Sequence, residues 1–497
     1  MIGSTTETNE NVFDLLVAVP SPTTTQTVAS LAGSYWAAGL EITGASASQQ
    51  RSSHFLLRAN GAGALLDLSL DGHAANQRGA APFAETVTGG SYSINGDGTG
   101  TIAFPNSTLL AGNKVLYVSR DGATALGGST SAGAHDILFA VKTIPGALSN
   151  LSWKDKFWGA GLRIEGRTLS NFAGSVNADG GGKLVWSQRV RQVANLAIDF
   201  TGVAPYTVSS GNSVTPGGTG RSLASWTAIG AAGDAFVGTT VAPEAVSTYE
   251  LFLGSRMPAL SGPGAFLNPQ GVFNAASYAG GSIAPGQFVS LFGSGLASQS
   301  AQASTAIYPS SLGGVQVLIN DLAAPVYSVS PGLIAALVPF AVTGAKATLV
   351  VNNNGTRSNP VEMPLAKTAP GIFTLSQTGT GLGAVLHTDY SIVDYAKPAK
   401  RNETLLVFLT GLGAVSPAVA DGAPPPAGTL ANTLQTPTVR IGGKTAQVSF
   451  SGLAPCCAGL YQMNITIPAN APFGGAIPLS IETAEHFHDQ VDLPIVP

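Results

Sequence analysis

A chain of 497 residues is too long for one hydrophobic core, so roughly three to four domains are expected. Only 10% of the residues are charged, against about 25% in an average soluble domain, while Gly reaches 62; this is the composition of many short strands joined by tight turns. A net charge of −4 without a basic run excludes recognition of a nucleic-acid backbone, and no apolar run approaches the ~20 residues of a helical span, so membrane insertion is excluded too.

Residues 1–20 read as a hairpin: MIGSTT, a polar turn, then Asn11 to Pro20 with Val12, Phe13, Leu15, Leu16, Val17 and Val19. Its pattern returns as Leu126-Gly127-Gly128-Ser129 with His135 to Val141, and again as Phe236-Val237-Gly238-Thr239 with Thr248 to Leu253. Three copies of one terminal hairpin imply a repeat unit. The first copy lacks its preceding strands, which favours an orphaned remnant of a truncated repeat, packed near the first unit. The other reading is strand donation to a neighbouring molecule, which would build filaments and gives the hairpin a part in self-association. MIGSTTETNE carries acid where a secretory leader needs a basic start, so truncation would also explain a missing leader.

The start of the unit recurs as well. Ser34-Tyr35-Trp36-Ala37-Ala38-Gly39-Leu40-Glu41-Ile42 matches Lys156-Phe157-Trp158-Gly159-Ala160-Gly161-Leu162-Arg163-Ile164, 122 positions on. The units span 31–145 and 151–258. In the first, about eight strand-sized segments are predicted, at 33–43, 53–59, 64–70, 83–94, 99–104, 114–119, 124–130 and 135–142, separated by Asn-Gly, Asp-Gly and Gly-Gly turns. An up-and-down meander closing into a small antiparallel barrel accounts for them. The second unit is shorter, which predicts a missing strand or one long bent strand.

Gly33-x-Tyr35-Trp36 at the opening, with Lys142 or Arg256 ending the last strand, is similar to the lipocalin signature, and that likeness implies a basic side chain capping a tryptophan at the closed end. All five tryptophans lie in this half. Trp36, Trp158, Trp186 and Trp226 are the candidate platforms for a sugar or a small apolar ligand, with core packing as the competing reading, favoured for Trp36 and Trp158.

Pro258 to Gly271 reads as a linker. Beyond it, Ile283 to Leu296 recurs 116 positions on as Arg401 to Gly413, and Val361 to Leu365 recurs as Val491 to Ile495 at an offset of 130. Two homologous β domains are expected, at 272–368 and 372–497, with strands in the first near 287–293, 314–320, 333–338, 346–352 and 360–366. Asn274 to Tyr278, Ala284-Pro285-Gly286, Gly293 to Leu296, Val338-Pro339-Phe340, Asn359-Pro360-Val361, Ala369 to Phe373, Asn402 to Gly413, Asp421-Gly422-Ala423 and Gly459 to Gln462 resemble, in order, an uncharacterised C-terminal domain of large secreted proteins of acidobacteria such as Solibacter. The resemblance covers about 270–497. It implies a pair of immunoglobulin-like modules of the IPT/TIG type on an extracellular or cell-surface protein, and it brings no activity. Cys456-Cys457 departs from the pattern; two thiols in a loop are expected, because disulfide geometry wants Cα atoms at least ~4.4 Å apart.

Catalytic chemistry is sparse. Six histidines, no Gly-x-Ser-x-Gly elbow after a strand, no Walker loop and no dinucleotide fingerprint leave no nucleophile or cofactor motif, so no cofactor is expected. Asn95 to Gly100 begins like a calcium loop but holds one carboxylate, Asp97, and reads as a turn. Glu485-His486-Phe487-His488-Asp489 comes nearest to a metal site, with His486 and His488 on one face of an extended segment; a solvated hairpin, by analogy with Thr356 to Asn359, is favoured. The reading is an all-β, non-enzymatic, secreted or surface protein of two barrel-like repeats and two Ig-like domains. Its role is structural or adhesive, with other surface proteins or glycans as partners; the alternative is ligand binding by the barrels.

Overall fold

A computed structural model describes residues 2–3, 15–19, 21–43, 49–110, 112–129, 134–143, 148–166, 168–191, 197–209, 213–216, 226–241, 247–258 and 261–497. Every regular element among them is a β-strand or a short 3-10 turn. The all-β expectation therefore holds.

The first repeat is a nine-stranded antiparallel meander, running from Gly33–Thr43 and Gln50–Ala59 to Ala134–Thr143. Its last strand pairs with its first over ten positions, with Val141 opposite Trp36. The segment expected at 83–94 is two strands, Phe83–Val87 and Ser91–Ile94, interrupted at Gly89-Gly90. These two do not pair with each other. The seam between them is narrowed by the bridge of Ala64 to Ser91. Alternate side chains point inward, so Tyr35, Ala37, Phe55, Leu57, Leu68, Leu70, Leu116 and Leu138 make one buried core.

The second repeat closes completely. Eight strands run in chain order from Lys154–Glu165 to Thr248–Arg256, and the first pairs with the last from Phe157 opposite Arg256 to Glu165 opposite Thr248. It has one strand fewer because Ala197–Val208 is long: residues 197–205 pair with Lys183–Arg191, and 206–208 pair with Ser213–Pro216. Trp153, Phe157, Phe172, Leu184, Tyr206, Phe236 and Phe252 fill one end of this barrel.

Both barrels also bury outward faces. Ala38, Leu40, Phe139 and Val141 of the first pack against Ile164, Val237, Tyr249, Leu251 and Leu253 of the second as a further apolar cluster. The Ala37-Ala38-Gly39 run thereby has small side chains on both faces, which lets the two sheets approach. Ile2–Gly3 pairs with Leu16–Val17, so the ends of the expected hairpin are present; its middle lies outside the described residues. Ile2, Leu15 and Val17 pack on the inter-barrel cluster, and Ile2–Gly3 lies against Lys154–Glu165 and Thr248–Arg256. The described ends of the hairpin therefore pack on their own chain through Ile2, Leu15 and Val17, while Leu16 stays exposed.

Residues 266–364 form two five-stranded sheets around one core. Strands occur at Phe288–Ser294, Val315–Ile319, Leu333–Leu337, Lys346–Asn353 and Val361–Pro364, where the pattern places them. The presumed linker is half strand: Phe266–Asn274 pairs with Phe288–Ser294 through a bulge between Leu267 and Val272. Residues 371–496 make a second core in which Thr404–Thr410 corresponds to Phe288–Ser294. Its last strand, His486–Val496, has 11 residues, against four in its counterpart Val361–Pro364.

Cys456 and Cys457 are joined by a disulfide across Cα atoms 3.8 Å apart, in place of the two thiols expected. That separation is imposed by a trans peptide, and the turn from Ala454 to Leu460, closed by Ala454 N–H donating to Leu460 O at 2.8 Å, accommodates the ring. A bond between neighbours closes almost no loop, so replacing both cysteines by Ser should cost only about 1 kcal/mol. Urea denaturation checks the cost, and thiol alkylation that requires prior reduction checks the bond.

Candidate functional site

The four candidate tryptophans are not brought together. Trp36 and Trp226 meet edge to face at 5.6 Å between the barrels, with His54 stacked on Trp226 at 4.3 Å. Trp158 leaves the second barrel altogether: its Nε1–H donates to Gln270 O at 2.8 Å, and its ring lies so close over Gly280 that a Cβ there would sit 2.5 Å from Cη2. Only Trp186 faces a barrel interior. Its indole occupies the space over Gly202, where a Cβ would fall 2.7 Å from Cζ2.

Strand alternation explains the split. Trp36 and Trp158 are each out of phase with the inward residues Tyr35 and Phe157 before them. The closing cations therefore cap those inward rings rather than a tryptophan: Lys142 Nζ lies 5.6 Å from the centre of Tyr35, and Arg256 lies 5.7 Å from that of Phe157.

His486 and His488 are not in a solvated hairpin. Both are buried, in a strand that leaves its own sandwich and pairs in parallel with the second barrel, Asp199 opposite His486 through Gly202 opposite Asp489. The short neighbour Ser213–Pro216 covers only 206–208 of the long barrel strand, so the edge at 199–202 is free to accept another strand. The sister loop Thr356 to Asn359 meets no such edge. Phe487 extends the weld by packing on the barrel core.

At the centre of this seam Asp199 is 1% exposed. Its Oδ2 lies 2.9 Å from His486 Nε2, its Oδ1 accepts from Arg189 Nη1 at 3.0 Å, and Ser282 donates to it through both hydroxyl and backbone N–H. Burial opposes the charged carboxylate, but His486 first, then Arg189 and Ser282, outweigh it and hold the group well below the usual carboxylate range. Three domains thus meet at one carboxylate. Nearby, Ser175 Oγ accepts from Gly280 N–H at 2.8 Å, and Gln490 Nε2 donates to Gly379 O at 2.6 Å and Ile372 O at 3.1 Å.

A serine, a histidine and an aspartate here do not make a hydrolytic relay. Ser282 Oγ and Asp199 Oδ2 both address His486 Nε2, at 3.1 and 2.9 Å, whereas a relay needs them on opposite ring nitrogens. Nδ1 of His486 is buried without a partner. Among the described residues no three His, Cys, Asp or Glu side chains are placed to hold a metal ion, and the two histidines address Asp199 and Gln490 instead. Asp97 Oδ1 accepts from Thr99 N–H at 2.9 Å and Thr99 Oγ1 at 2.6 Å, closing the turn as a local cap.

Each barrel also carries charge inside. In the first, Lys114 bridges Glu41 and Asp136, with Arg51 3.9 Å from Glu41. In the second, Arg163 Nη2 donates to Glu250 Oε1 at 2.8 Å and Thr240 Oγ1 donates to Glu250 Oε2 at 2.7 Å. Burial works against the charged Arg163, but Glu250 beside it prevails and moves it up. Glu41 and Arg163 hold equivalent repeat positions; across the first and last strands Arg163 faces its partner Glu250, whereas Glu41 faces Asp136, with which it shares Lys114. Sequence reasoning missed these residues. The available signal was a charge recurring at the inward phase of Tyr35 and Phe157, at the same place in both copies.

No family model matches the chain, and no curated protein does. Among solved structures, kievitone hydratase from Nectria haematococca superposes with a TM-score of 0.20 at 10% identity, over 46% of this chain and 90% of that one. Gamma-CGTase from alkalophilic Bacillus clarkii gives a TM-score of 0.16 at 12% identity, over 67% and 41%. At these scores neither likeness bears on what this chain does.

Proposed function

We propose that the chain is a non-catalytic structural or adhesive protein of the cell surface or extracellular space, in which two barrels and an Ig-like pair act as one stiff body. The seam of Asp199–Gly202 with His486–Asp489 carries the reading. A spacer whose domains hung on free linkers would leave these strand edges in water; here a backbone ladder and a buried charge cluster spend them on fixing one domain against the next. The residues with the most chemical potential, His486, Asp199, Ser282 and Trp158, are engaged in that same joint. A stiff body of this kind presents whatever its ends expose. On the last sandwich those are Tyr390, Tyr395 and Phe473, at 74%, 68% and 59% exposure, with Arg401 5.1 Å over the Phe473 ring.

Small-angle scattering of the full chain tests the stiffness, and protease shaving of intact source cells tests the location. One rigid shape and loss of the protein on shaving are expected. A scattering profile that needs a broad ensemble of domain arrangements, or complete protection in intact cells, would sink the proposal.

A further inference from the structure

We propose that the side chains of Lys114 and Asp136 become joined by an amide bond inside the first barrel, with Glu41 as the catalytic residue of that single step. The side chains of Lys114, Asp136 and Glu41 are 1%, 4% and 3% exposed. Glu41 stands opposite Asp136 across the strands Gly33–Thr43 and Ala134–Thr143. Lys114 belongs to Asn113–Val118, which is separated from the Asp136 strand by Thr124–Gly128. Two strand spacings, about 9.5 Å, therefore lie between the backbones of Lys114 and Asp136. Only a long side chain closes that gap, and it can pass because Ser129, the residue after the Gly128–Val115 pair, is small. The Lys114 amine thus ends on Oδ2 of Asp136 and 2.5 Å from Oε1 of Glu41. Two residues along each strand, Leu116 and Leu138 belong to the apolar core of the barrel.

A buried lysine shared by two carboxylates has one of them to attack and the other beside it as a base. Proton transfer within the Lys114–Asp136 contact gives a neutral amine and a neutral acid. The Nζ lone pair then attacks Cγ of Asp136, Glu41 takes the proton shed by Nζ and delivers it to Oδ2, and the Cγ–Oδ2 bond breaks with release of water. One ammonium and one carboxylate become one secondary amide and one water, so neither an oxidant nor a co-reactant is needed. Ser129 N–H donates to Oδ1 of Asp136 at 2.5 Å and Ser129 Oγ donates to Oδ2 at 2.9 Å, which places a donor on the oxygen where negative charge develops. That contact selects Asp136 as the carboxyl attacked. Glu41 lies 3.9 Å from Arg51 Nη1 instead, which balances its charge once Lys114 is neutral. Burial penalises separated charges, and the bond removes two of them from the barrel interior, while the sheet holds the reacting groups in contact. The second barrel is an internal control: Arg163 faces Glu250 at the matching row, and a guanidinium that stays protonated is no nucleophile. The step runs once, on the chain's own residues, so it neither rests on the adhesive reading nor makes the protein an enzyme.

Mass spectrometry of the full chain, denatured and with the Cys456–Cys457 disulfide reduced, tests the bond. The expected mass is that of the sequence less one water. Tryptic digestion should leave the chain uncut at Lys114 and yield a branched peptide that links it to Asp136. Lys114→Arg, Asp136→Ala and Glu41→Gln should each restore the full mass. Glu41→Gln keeps the shape of the side chain, and circular dichroism with a cooperative melt checks that it folds. A parent protein at the full sequence mass would overturn the proposal, as would a loss of water that persists in Lys114→Arg or a branch that maps to other residues. A folded Glu41→Gln protein that still carries the bond would overturn the role of Glu41. The peptide map of the parent decides the bond by itself should any variant fail to fold.

Discussion

Replacing Asp199 by Ala should destabilise the protein by about 3–5 kcal/mol, the usual cost of removing one partner from a buried ion pair and leaving the other charged. Arg189 would lose the carboxylate that compensates it, at 3.0 Å, and His486 Nε2 would lose its contact at 2.9 Å. Ser282 would lose the acceptor for its hydroxyl and backbone N–H. The loss should fall on the joint rather than evenly over the chain, since the parallel ladder from Asp199 to Gly202 holds the last sandwich to the barrel. A calorimetric scan should therefore resolve into separate transitions, and scattering should show a larger particle. Ser282→Ala removes one hydroxyl donating to the carboxylate and should cost less, about 2 kcal/mol. An Asp199→Ala protein that melts with its parent in one transition would show that the seam contributes nothing to coupling.

Stability should also fall as the pH drops from about 6.5 to about 4, before ordinary carboxylates titrate. Burial pushes His54 down to about 4 against Trp226, and burial likewise pushes His488 down to about 4, outweighing its bond to Gln490. An unfolded histidine titrates near 6.5, so below that pH the unfolded chain takes up protons that the folded one refuses. The stabilising contribution is thus complete above pH 6.5 and is lost as the pH falls towards 4. Each histidine accounts for about 3 kcal/mol across that window, an order-of-magnitude figure from its shift. His73, also lowered by burial, acts in the same direction. Asp199 adds a further loss only below about pH 4, because its folded value is depressed from the carboxylate range. Urea midpoints between pH 8 and 4 measure the effect, and His54→Phe, which keeps a ring on Trp226, should flatten the upper part of the curve. A midpoint constant from pH 7.5 to 4.5 would contradict the burial of both histidines.

Periodicity exposed the strands and the repeats because both are local properties. Strand-length apolar runs open at Tyr35 and Phe157, Gly pairs mark the turns, and the copies 122 and 116 residues apart keep their order. The candidate residues were harder to place. A tryptophan has the same local pattern whether its outer face meets water or another barrel, so the sequence left packing and ligand platforms both open for Trp36, Trp158 and Trp226, with packing favoured for the first two, and the structure places all three at domain interfaces. The solvated hairpin at 485–489 failed for a related reason: the sister segment is a sound guide to chain conformation, but not to what lies alongside it.

By itself the sequence determined the all-β class, the duplicated hairpins and the barrel-forming meander, since these follow from strand-length apolar runs and turn chemistry within tens of residues. Only the tertiary structure decided that Asp199, Ser282 and His486 meet at one point, across separations of 83 and 204 residues. It alone decided that Glu41 and Asp136 share Lys114. The physical reason is that a buried charge or an open sheet edge is satisfied by whichever group the folded surfaces bring within 3 Å, and nothing in the local pattern of either segment encodes which group that is.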